Sequence, residues 1–468
     1  MFNSPPKITN GVFQGFHKLS HNLLLALIIL LSCGSSSHAQ LSQNYAPLQL
    51  DGIIQQDFLK RAKGDFKVKV RNTHRLSKIQ KEQFLKATQQ TIKNIFQNGN
   101  VYFNDPLTRY VRVIGNRLLK HSPHKDKIKI FVSRYPSINA TSWQDGTILL
   151  NIGLLSRLEN EHQLAFVIAH EISHYAKQHG YRQYAEFLKN KAAYSDFVTT
   201  LKYGLQYEFE ADEMALTLLK KGRFDMEESL AVLDIIQGKR ERNIIDFYKY
   251  FESSRFKVTS KHRCDAISRH IELTDQELVL RQLSSSHVEQ RYKRLEDLIH
   301  VQQNFTTKSY NVPSPLFDKV RNIAQFELVE QSFKESNFVK SIHEALILLK
   351  KFPDNRYLHI KIAECLYAIH SYNNLARGYF EETAPKEQHQ KELSCFLDNL
   401  SEKDLNDLVY GFVQTKYENF SYDQYMLILM AKTVENYFKM EFAKPYYEQY
   451  IKRFPDGDHV ILAKRKLR

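Results

Sequence analysis

The stretch "QLAFVIAHEISHYA" (residues 163–176) places ionisable side chains within an apolar helical run. The apolar residues that precede His170 predict a buried helix rather than a solvated one. Positions four residues apart lie on one helical face, so His170 and His174 can direct their imidazoles to one point, with Glu171 beside the first of them. Polar groups are buried only when they are hydrogen-bonded, paired or bound to a metal. The chain must therefore fold so that partners from another element reach this helix.

The spacing His-Glu-x-x-His suits a zinc ion. Zinc accepts imidazole nitrogen at about 2.0–2.1 Å, and a catalytic site takes three protein ligands and a water. Glu171 can then accept a proton from that water and pass it to a leaving amine. The other interpretation is two histidines that fall one helical turn apart by chance, and the buried setting favours zinc. A third ligand should follow on another helix.

A second helical stretch, "QYEFEADEMALTLLKK" (residues 206–221), offers three acids for that purpose. They are Glu208, Glu210 and Asp212. His-Glu-x-x-His followed by Glu-Phe-x-Ala-Asp resembles the gluzincin metallopeptidase family that contains the CAAX prenyl proteases and the HtpX heat-shock proteases. The resemblance implies that Glu208 is the third ligand and that Asp212 orients a ligand histidine from behind. Glu210 is expected to be a solvated helix charge.

The same resemblance, which covers roughly residues 105–273, implies the composition of the whole site. It implies one Zn(2+) per chain, held by His170, His174 and Glu208. Glu171 is implied as the catalytic carboxylate. An α+β zincin-like fold is implied with it.

Further segments around these helices fit the same family. "INATSWQDGTILLNIGLL" contains the family's Asn-Ala turn at Asn139 and its Gly-Leu-Leu before the zinc helix. The family's Thr-His-Pro is absent, and the nearest counterpart is "SKHRCDAISRH", in which Arg263 replaces the proline. His262 and Asn139 are therefore candidates for substrate contact or regulation, with an ordinary surface histidine as the alternative for His262. His179 is expected to be structural.

The first 39 residues predict an export signal. Lys7 and Lys18 precede an unbroken apolar run over residues 23–31, which is too short to span a bilayer but matches the apolar region of a secretory signal. This signal can be processed in two ways. Cleavage after Ala39 is favoured, and the alternative is processing at a lipobox, which would leave a lipidated Cys33. Both predict a periplasmic protein that meets the membrane only peripherally or through a lipid anchor.

Charge and cysteine usage narrow the range of partners. The net charge of +14 suits anionic partners, although a generally basic surface is the simpler explanation. No RNA-binding or zinc-finger signature is present, so nucleic acid is not an expected partner.

Cys264, Cys365 and Cys395 lack metal-type spacing. Cys365 and Cys395 can pair in an oxidising compartment, but isolated buried thiols are the preferred interpretation.

Hydrophobic periodicity divides the chain. Helical spacing up to about residue 120 gives way to the alternating "KIKIFVS" and then to "TILLNIG", before helices resume. The pattern predicts an α+β metallopeptidase domain, mainly helical with a small sheet, followed by an all-α tetratricopeptide-like region. The predicted boundaries are a signal peptide over 1–39, an N-terminal extension over 40–75, the metallopeptidase domain over 76–275, a helical linker over 276–310 and the repeats over 311–468.

The C-terminal region carries a weak repeat. "SNFVKSIHEALILLKKFPDN" and "MEFAKPYYEQYIKRFPDGDH" share an amphipathic helix followed by Phe-Pro-Asp. Pro353 and Pro455 lie 102 residues apart, three times the period of about 34 residues that is typical of tetratricopeptide repeats. Ser341 and Ala443 occupy the small helix-packing position before each proline. A generic helical bundle is the alternative.

These features together resemble the soluble, periplasmic BepA-like proteases of the family. The resemblance implies a zinc endopeptidase that hydrolyses exported, misfolded or assembling envelope proteins, with contacts to outer-membrane assembly machinery through the repeats. The alternative is a repeat-based chaperone or scaffold whose protease domain is silent or autoinhibited. In gluzincins the strand corresponding to "TILLNIG" lies along the cleft edge, so Leu149 and Leu150 are expected to offer amides to an extended substrate, with an interior strand as the alternative.

Overall fold

The computed structural model describes most of the chain after residue 75. The described residues are 41–49, 76–103, 105–120, 122–189, 204–237, 247–253, 255–258, 285–303, 314–375, 393, 396–397 and 400–468. The predicted signal segment, both of its processing sites, the candidate His262 and the thiols Cys264 and Cys395 lie outside them. Cys365 is a free, buried thiol. No helix in the described part of the chain combines the length and the apolar content that a membrane span requires.

The first region is mainly helical and holds a small mixed sheet. Its strands are β1 Lys129–Ser133, β2 Ala140–Ser142 and β3 Thr147–Asn151. Its helices are α1 Lys78–Gln97, α2 Pro106–Leu118, α3 Ile152–Arg157, α4 Glu161–Ala176, α5 His179–Lys189, α6 Leu205–Gly222, α7 Glu228–Gln237, α8 Phe247–Tyr250 and α9 Ser285–Gln303.

The order of the strands corrects one expectation. The sheet runs β1-β3-β2, with β3 parallel to β1 and antiparallel to β2. Leu149 packs with Phe131 and Phe96 on one face, whereas Leu150 joins the main core on the other. The strand that carries Leu149 and Leu150 is therefore interior, and the expectation that it forms the cleft edge is wrong. Its nearly unbroken apolar sequence reflects burial on both faces, and β2 is an outer strand.

Helix α4 lies at the centre of the first core. Asn160 caps its start by accepting the amides of His162 and Gln163, both at 3.0 Å. The helix packs against α2, α6 and α7, and α2 in turn sits directly on β1. A Cβ at Gly115 of α2 would lie 2.2 Å from Cδ1 of Ile130 in β1, so a larger residue there would force the end of the Ile130 side chain to move. The close packing fixes where α4 stands against the sheet.

All the regular elements that the structure describes in the second region, from residue 314 onward, are helices. Its helices are α10 Pro315–Lys334, α11 Phe338–Leu349, α12 Arg356–Leu375, α13 Glu402–Phe420, α14 Gln424–Tyr437, α15 Met440–Arg453 and α16 Val460–Lys466. Neighbouring helices pack on one another and form a second core. Ser341 and Ala443 are fully buried, as a helix-packing position requires. The tetratricopeptide assignment itself stays a prediction.

The two regions share helices. Residues 276–310 were predicted to be a helical linker, and the helix described within them, α9, packs on α6 and α7 and contributes Val288, Leu295 and Ile299 to the first core. Helix α10 contributes to both cores. Helix α9 packs in this way because its apolar face gains free energy when it is removed from water.

The described part of the N-terminal extension ties the regions together. Glu327 of α10 is fully buried and accepts the hydroxyls of Tyr45 at 2.5 Å and Tyr102 at 2.6 Å. It also accepts the amide of Leu48 at 2.7 Å. Arg134 donates to the carbonyl of Leu48 at 3.1 Å and lies 3.7 Å from Glu327. Residues 41–49 are thus held against both regions of the chain.

Candidate metal centre

Two histidines and one glutamate converge where α4 crosses α6. The Nε2 atoms of His170 and His174 lie 2.9 Å apart. Glu208 places one carboxylate oxygen 3.3 Å from Nε2 of His170 and the other 3.6 Å from Nε2 of His174. Among the described residues, these three form the one cluster whose ligand atoms all lie within 4.8 Å of one another. The arrangement presents two nitrogens and one oxygen to a common point.

Asp212 contacts the other nitrogen of His170. Its Oδ1 lies 2.9 Å from Nδ1 of that ring, and Asp212 follows Glu208 by one helical turn on α6. Because a carboxylate only accepts, Nδ1 of His170 carries a hydrogen, and Nε2 is the nitrogen that offers a lone pair to a metal when the ring is neutral. The contact has the geometry expected for Asp212 from the sequence, and its effect on a metal stays a prediction.

Arg291 of α9 is a site residue that the sequence analysis missed. Its guanidinium donates to both oxygens of Asp212 at 2.8 Å and lies 2.8 Å from Oε2 of Glu208. A signal was present in the sequence "VEQRYKRLEDLI", because Arg291 falls at helical spacing between the apolar Val288 and Leu295. A charged residue inside an apolar stripe predicts a buried ion pair. The acidic partners of Arg291 could not be identified from the sequence, because they depend on how α9 packs in the tertiary structure.

Burial and charge perturb the protonation of the ligand set. Burial and Arg291 both lower the pKa of His170, but the hydrogen bonds that its ring donates to Asp212 and Glu208 outweigh them and raise it to about 9. Burial, reinforced by the neighbouring His170, lowers the pKa of His174 well below its usual value. Burial alone would raise the pKa of Glu208, yet Arg291 and the two histidines hold it well below its ordinary range. A metal that binds here must displace the proton of His170.

Glu171 is also buried at this crossing. Burial raises the pKa of its carboxyl group to about 7, and Glu208 adds to the rise, while His170 opposes it. A carboxyl group whose pKa lies near neutral pH is suited to accept and then release a proton. Glu171 is not one of the three residues whose ligand atoms converge.

The donor set fits a zinc ion. Two histidines and a glutamate, with room for a water, are the ligands of one class of catalytic zinc sites. The charges fit as well, because the buried carboxylates of Glu208 and Asp212 face the single guanidinium of Arg291 among the described residues. A dication offsets the excess negative charge that Glu171 adds when it ionises.

The second histidine is supported from the opposite side. Nδ1 of His174 lies 2.8 Å from Nδ1 of His179, whose Nε2 lies 3.3 Å from Oε2 of Glu210. Arg182 donates to both oxygens of Glu210 at 2.5 and 3.1 Å, and these bonds help to lower the pKa of Glu210 to about 2. Glu210 was expected to be a solvated charge. That expectation is wrong, because Arg182 and His179 hold the carboxylate at 24% exposure.

Asn139 immediately precedes the outer strand β2. Its carbonyl accepts the amide of Asn151 at 3.0 Å, which starts the pairing of β2 with β3. The structure gives its side chain no contact with the converging ligands. A role for Asn139 in substrate binding or regulation stays a prediction.

Comparison with known proteins agrees with this geometry. Residues 107–201, which include α4, match Peptidase family M48. The chain is 40% identical over 78 residues to the beta-barrel assembly-enhancing protease of Escherichia coli (strain K12), which is 16% of each chain. It is 34% identical over 89 residues to the protein of that name from Yersinia pestis, 19% of this chain and 18% of the relative. The resemblance inferred from the two motifs is thereby confirmed.

A further relative extends the comparison slightly. The putative beta-barrel assembly-enhancing protease of Vibrio cholerae serotype O1 is 32% identical over 101 residues, 21% of each chain. The aligned segments therefore span between 16% and 21% of the length of these relatives. The likeness is established for one region of the chain.

Proposed function

We propose that this chain is a zinc-dependent endopeptidase that cleaves exported, misfolded or assembling envelope proteins in the periplasm. The observation that carries the proposal is the convergence of His170, His174 and Glu208 next to the buried carboxyl group of Glu171. The match to Peptidase family M48 and the name of the relatives, which refers to β-barrel assembly, support the reaction and the class of substrate. The helices after residue 314 are the proposed contact with assembly machinery.

The proposed chemistry assigns a separate task to each side chain. His170, His174 and Glu208 hold one zinc ion, which when bound lowers the pKa of a water and polarises the scissile carbonyl. Glu171 accepts the proton that the attacking water loses as its oxygen bonds to the carbonyl carbon. Glu171 then delivers that proton to the amide nitrogen as the carbon–nitrogen bond breaks. Asp212 keeps His170 in the tautomer that offers Nε2.

Substrate is proposed to bind along β2. The bonds from Asn151 to Asn139 and from Trp143 to Thr147 fix the antiparallel register, in which residues 139, 141 and 143 direct their main-chain hydrogen-bonding groups toward β3. The amides of Ala140 and Ser142 alternate with these and point to the outer edge. An extended peptide that adds to this edge is held by its main chain, which suits a protease with many unfolded clients.

The proposal is tested by metal content and hydrolysis measured on the same preparations. We expect the wild type to hold one zinc ion and to cleave a denatured outer-membrane β-barrel protein, and a chelator to abolish both. Glu208→Ala should lose zinc and activity. Glu213→Gln is the matched control, because Glu213 lies on the same helix with its side chain 58% exposed.

Glu171→Gln separates binding from chemistry. The amide cannot accept a proton from water, so we expect full zinc content and a loss of about 10²–10⁴-fold in hydrolysis. A variant that is as active as the wild type would remove Glu171 from the reaction. A wild type that holds zinc but cleaves nothing would instead favour the scaffold with a silent or autoinhibited protease domain.

A further inference from the structure

We propose that His179 and Glu210 are positioning residues for the zinc ligand His174, acting as a relay that fixes its tautomer and ring orientation. The inference rests on the proposed zinc site. It gives a task to two side chains that the proposed hydrolysis does not otherwise use.

The relay is built by a tight turn after the zinc helix. Gln178 adopts φ 57° between α4 and α5, a left-handed conformation that non-glycine residues rarely take. The turn folds the start of α5 back so that the His179 ring, which is fully buried, meets the ring of His174 with their Nδ1 atoms 2.8 Å apart. An uncommon backbone conformation that places one side chain against a proposed ligand points to a functional constraint.

The far end of the relay has a defined charge. Arg182 is always protonated and bonds both oxygens of Glu210. The carboxylate therefore accepts, and Nε2 of His179, 3.3 Å away, carries the hydrogen that it receives. Tyr207 stacks on the His179 ring, with centroids 4.9 Å apart and planes at 28°, which holds the ring in this orientation.

The position of that hydrogen decides the tautomer of His174. A neutral His179 with its hydrogen on Nε2 has a lone pair on Nδ1, so it accepts the Nδ1 hydrogen of His174. Nε2 of His174 is then left with a lone pair that faces Glu208 and the metal point. Metal-binding histidines are commonly held in this way by a carboxylate or carbonyl on their second nitrogen. Here a second imidazole stands between the ligand and the carboxylate.

The two ligand histidines are therefore supported by two acids of the same helix. Asp212 reaches His170 directly at 2.9 Å, and Arg291 holds that carboxylate. Glu210 reaches His174 through His179, and Arg182 holds that carboxylate. Each support thus consists of a carboxylate fixed by an arginine.

The test compares two replacements of His179 by zinc affinity. His179→Phe keeps an aromatic ring against Tyr207 but has no acceptor, so we expect zinc to bind about 10–100-fold more weakly in a chelator competition. His179→Asn places its amide oxygen close to the position of Nδ1, so we expect affinity within about threefold of wild type. The matched control is His162→Phe, since His162 is a buried histidine of α4 whose Nδ1 accepts the amide of Asp225 at 3.2 Å.

A second measurement distinguishes the relay from a fault in folding. The visible spectrum of the Co²⁺-loaded protein reports the geometry around the metal, and it should change in His179→Phe and remain in His179→Asn and His162→Phe. Thermal unfolding of the metal-free variants shows whether α5 still folds. Glu210→Ala, which leaves His179 intact, should weaken zinc binding in the same direction by about threefold to tenfold.

The outcomes separate this inference from the proposed function. A wild type that binds no zinc would overturn the metal site itself. A wild type that binds zinc, with His179→Phe equal to it in affinity and Co²⁺ spectrum, would overturn the relay alone. Equal weakening in His179→Phe and His179→Asn would also overturn it, because the acceptor would then be irrelevant.

Discussion

Arg291→Met should destabilise the metal-free protein far more than the zinc-loaded one. The guanidinium of Arg291 is the buried cation shared by Asp212 and Glu208, each 2.8 Å away. Methionine keeps much of the apolar stem and removes the charge, which leaves the two buried carboxylates with His170 but without the guanidinium that faced both of them. Removing one partner of a buried ion pair typically costs about 3–5 kcal/mol of unfolding free energy.

Zinc should recover a large part of that loss. A dication at the crossing of α4 and α6 neutralises the same two carboxylates, so we expect the loaded variant to be destabilised by about half as much. In the thermodynamic cycle, each step of about 1.4 kcal/mol by which Arg291→Met destabilises the metal-free form more than the zinc-loaded form corresponds to tenfold tighter zinc binding. Arg291→Met is thus expected to bind zinc more tightly than wild type while it is less stable without it.

Urea unfolding with and without zinc, followed by tryptophan and far-ultraviolet signals, measures both quantities. Arg294→Met is the matched control on the same helix, since Arg294 is 44% exposed and pairs with the exposed Glu213 at 3.4 Å. Such surface pairs contribute about 0–1 kcal/mol. Equal destabilisation of the two forms, or a loss in Arg291→Met no larger than in Arg294→Met, would refute the charge argument.

Three further predictions concern the scaffold. Tyr45→Phe removes a hydroxyl bonded to buried Glu327, so we expect a loss of about 1.5–3 kcal/mol in urea unfolding and faster proteolysis of residues 41–49, whereas unchanged cleavage would count against the tie. Arg157 holds the pKa of buried Glu344 well below its usual value, against burial, so the stability it gives is complete above about pH 4.3 and is lost as pH falls further. Glu344→Gln should lower stability at pH 7 and flatten that acid dependence, and a parallel pH curve would contradict this. Ser142→Pro, which removes an outward amide of β2, should impair cleavage with zinc retained, whereas Thr141→Pro should unfold the sheet. Equal behaviour of the two proline variants would refute the edge assignment.

The sequence predicted best the features that depend on local spacing. A helical period of 3.6 residues puts His170 and His174 on one face, and the same period puts Asp212 one turn after Glu208. The change of period near residue 127 predicted the small sheet in a helical chain. These features could be predicted because each depends on residues within one element.

The features that the sequence analysis missed depend on packing between distant elements. Strand order was predicted wrongly because an apolar strand such as the one around Leu149 fits the interior of any sheet, and alternation does not say which neighbour lies beside it. Arg291 lies 79 residues after Asp212, so nothing local connects them. Glu210 was taken for a solvated charge because its partners, His179 and Arg182, follow a turn at Gln178, and the sequence does not predict that turn.

The acids of α6 show why one helix can serve two histidines in different ways. Glu208 and Asp212 are separated by one turn and lie about 40° apart around the axis, so both face α4. Glu210 lies about 200° from Glu208, on the opposite side of the helix, and its Oε2 is 3.3 Å from Nε2 of His179. His179, at the start of α5, lies between His174 and Glu210: its Nδ1 contacts the first and its Nε2 contacts the second. His179, the residue after the turn, thus contacts both His174 of the first motif and Glu210 of the second.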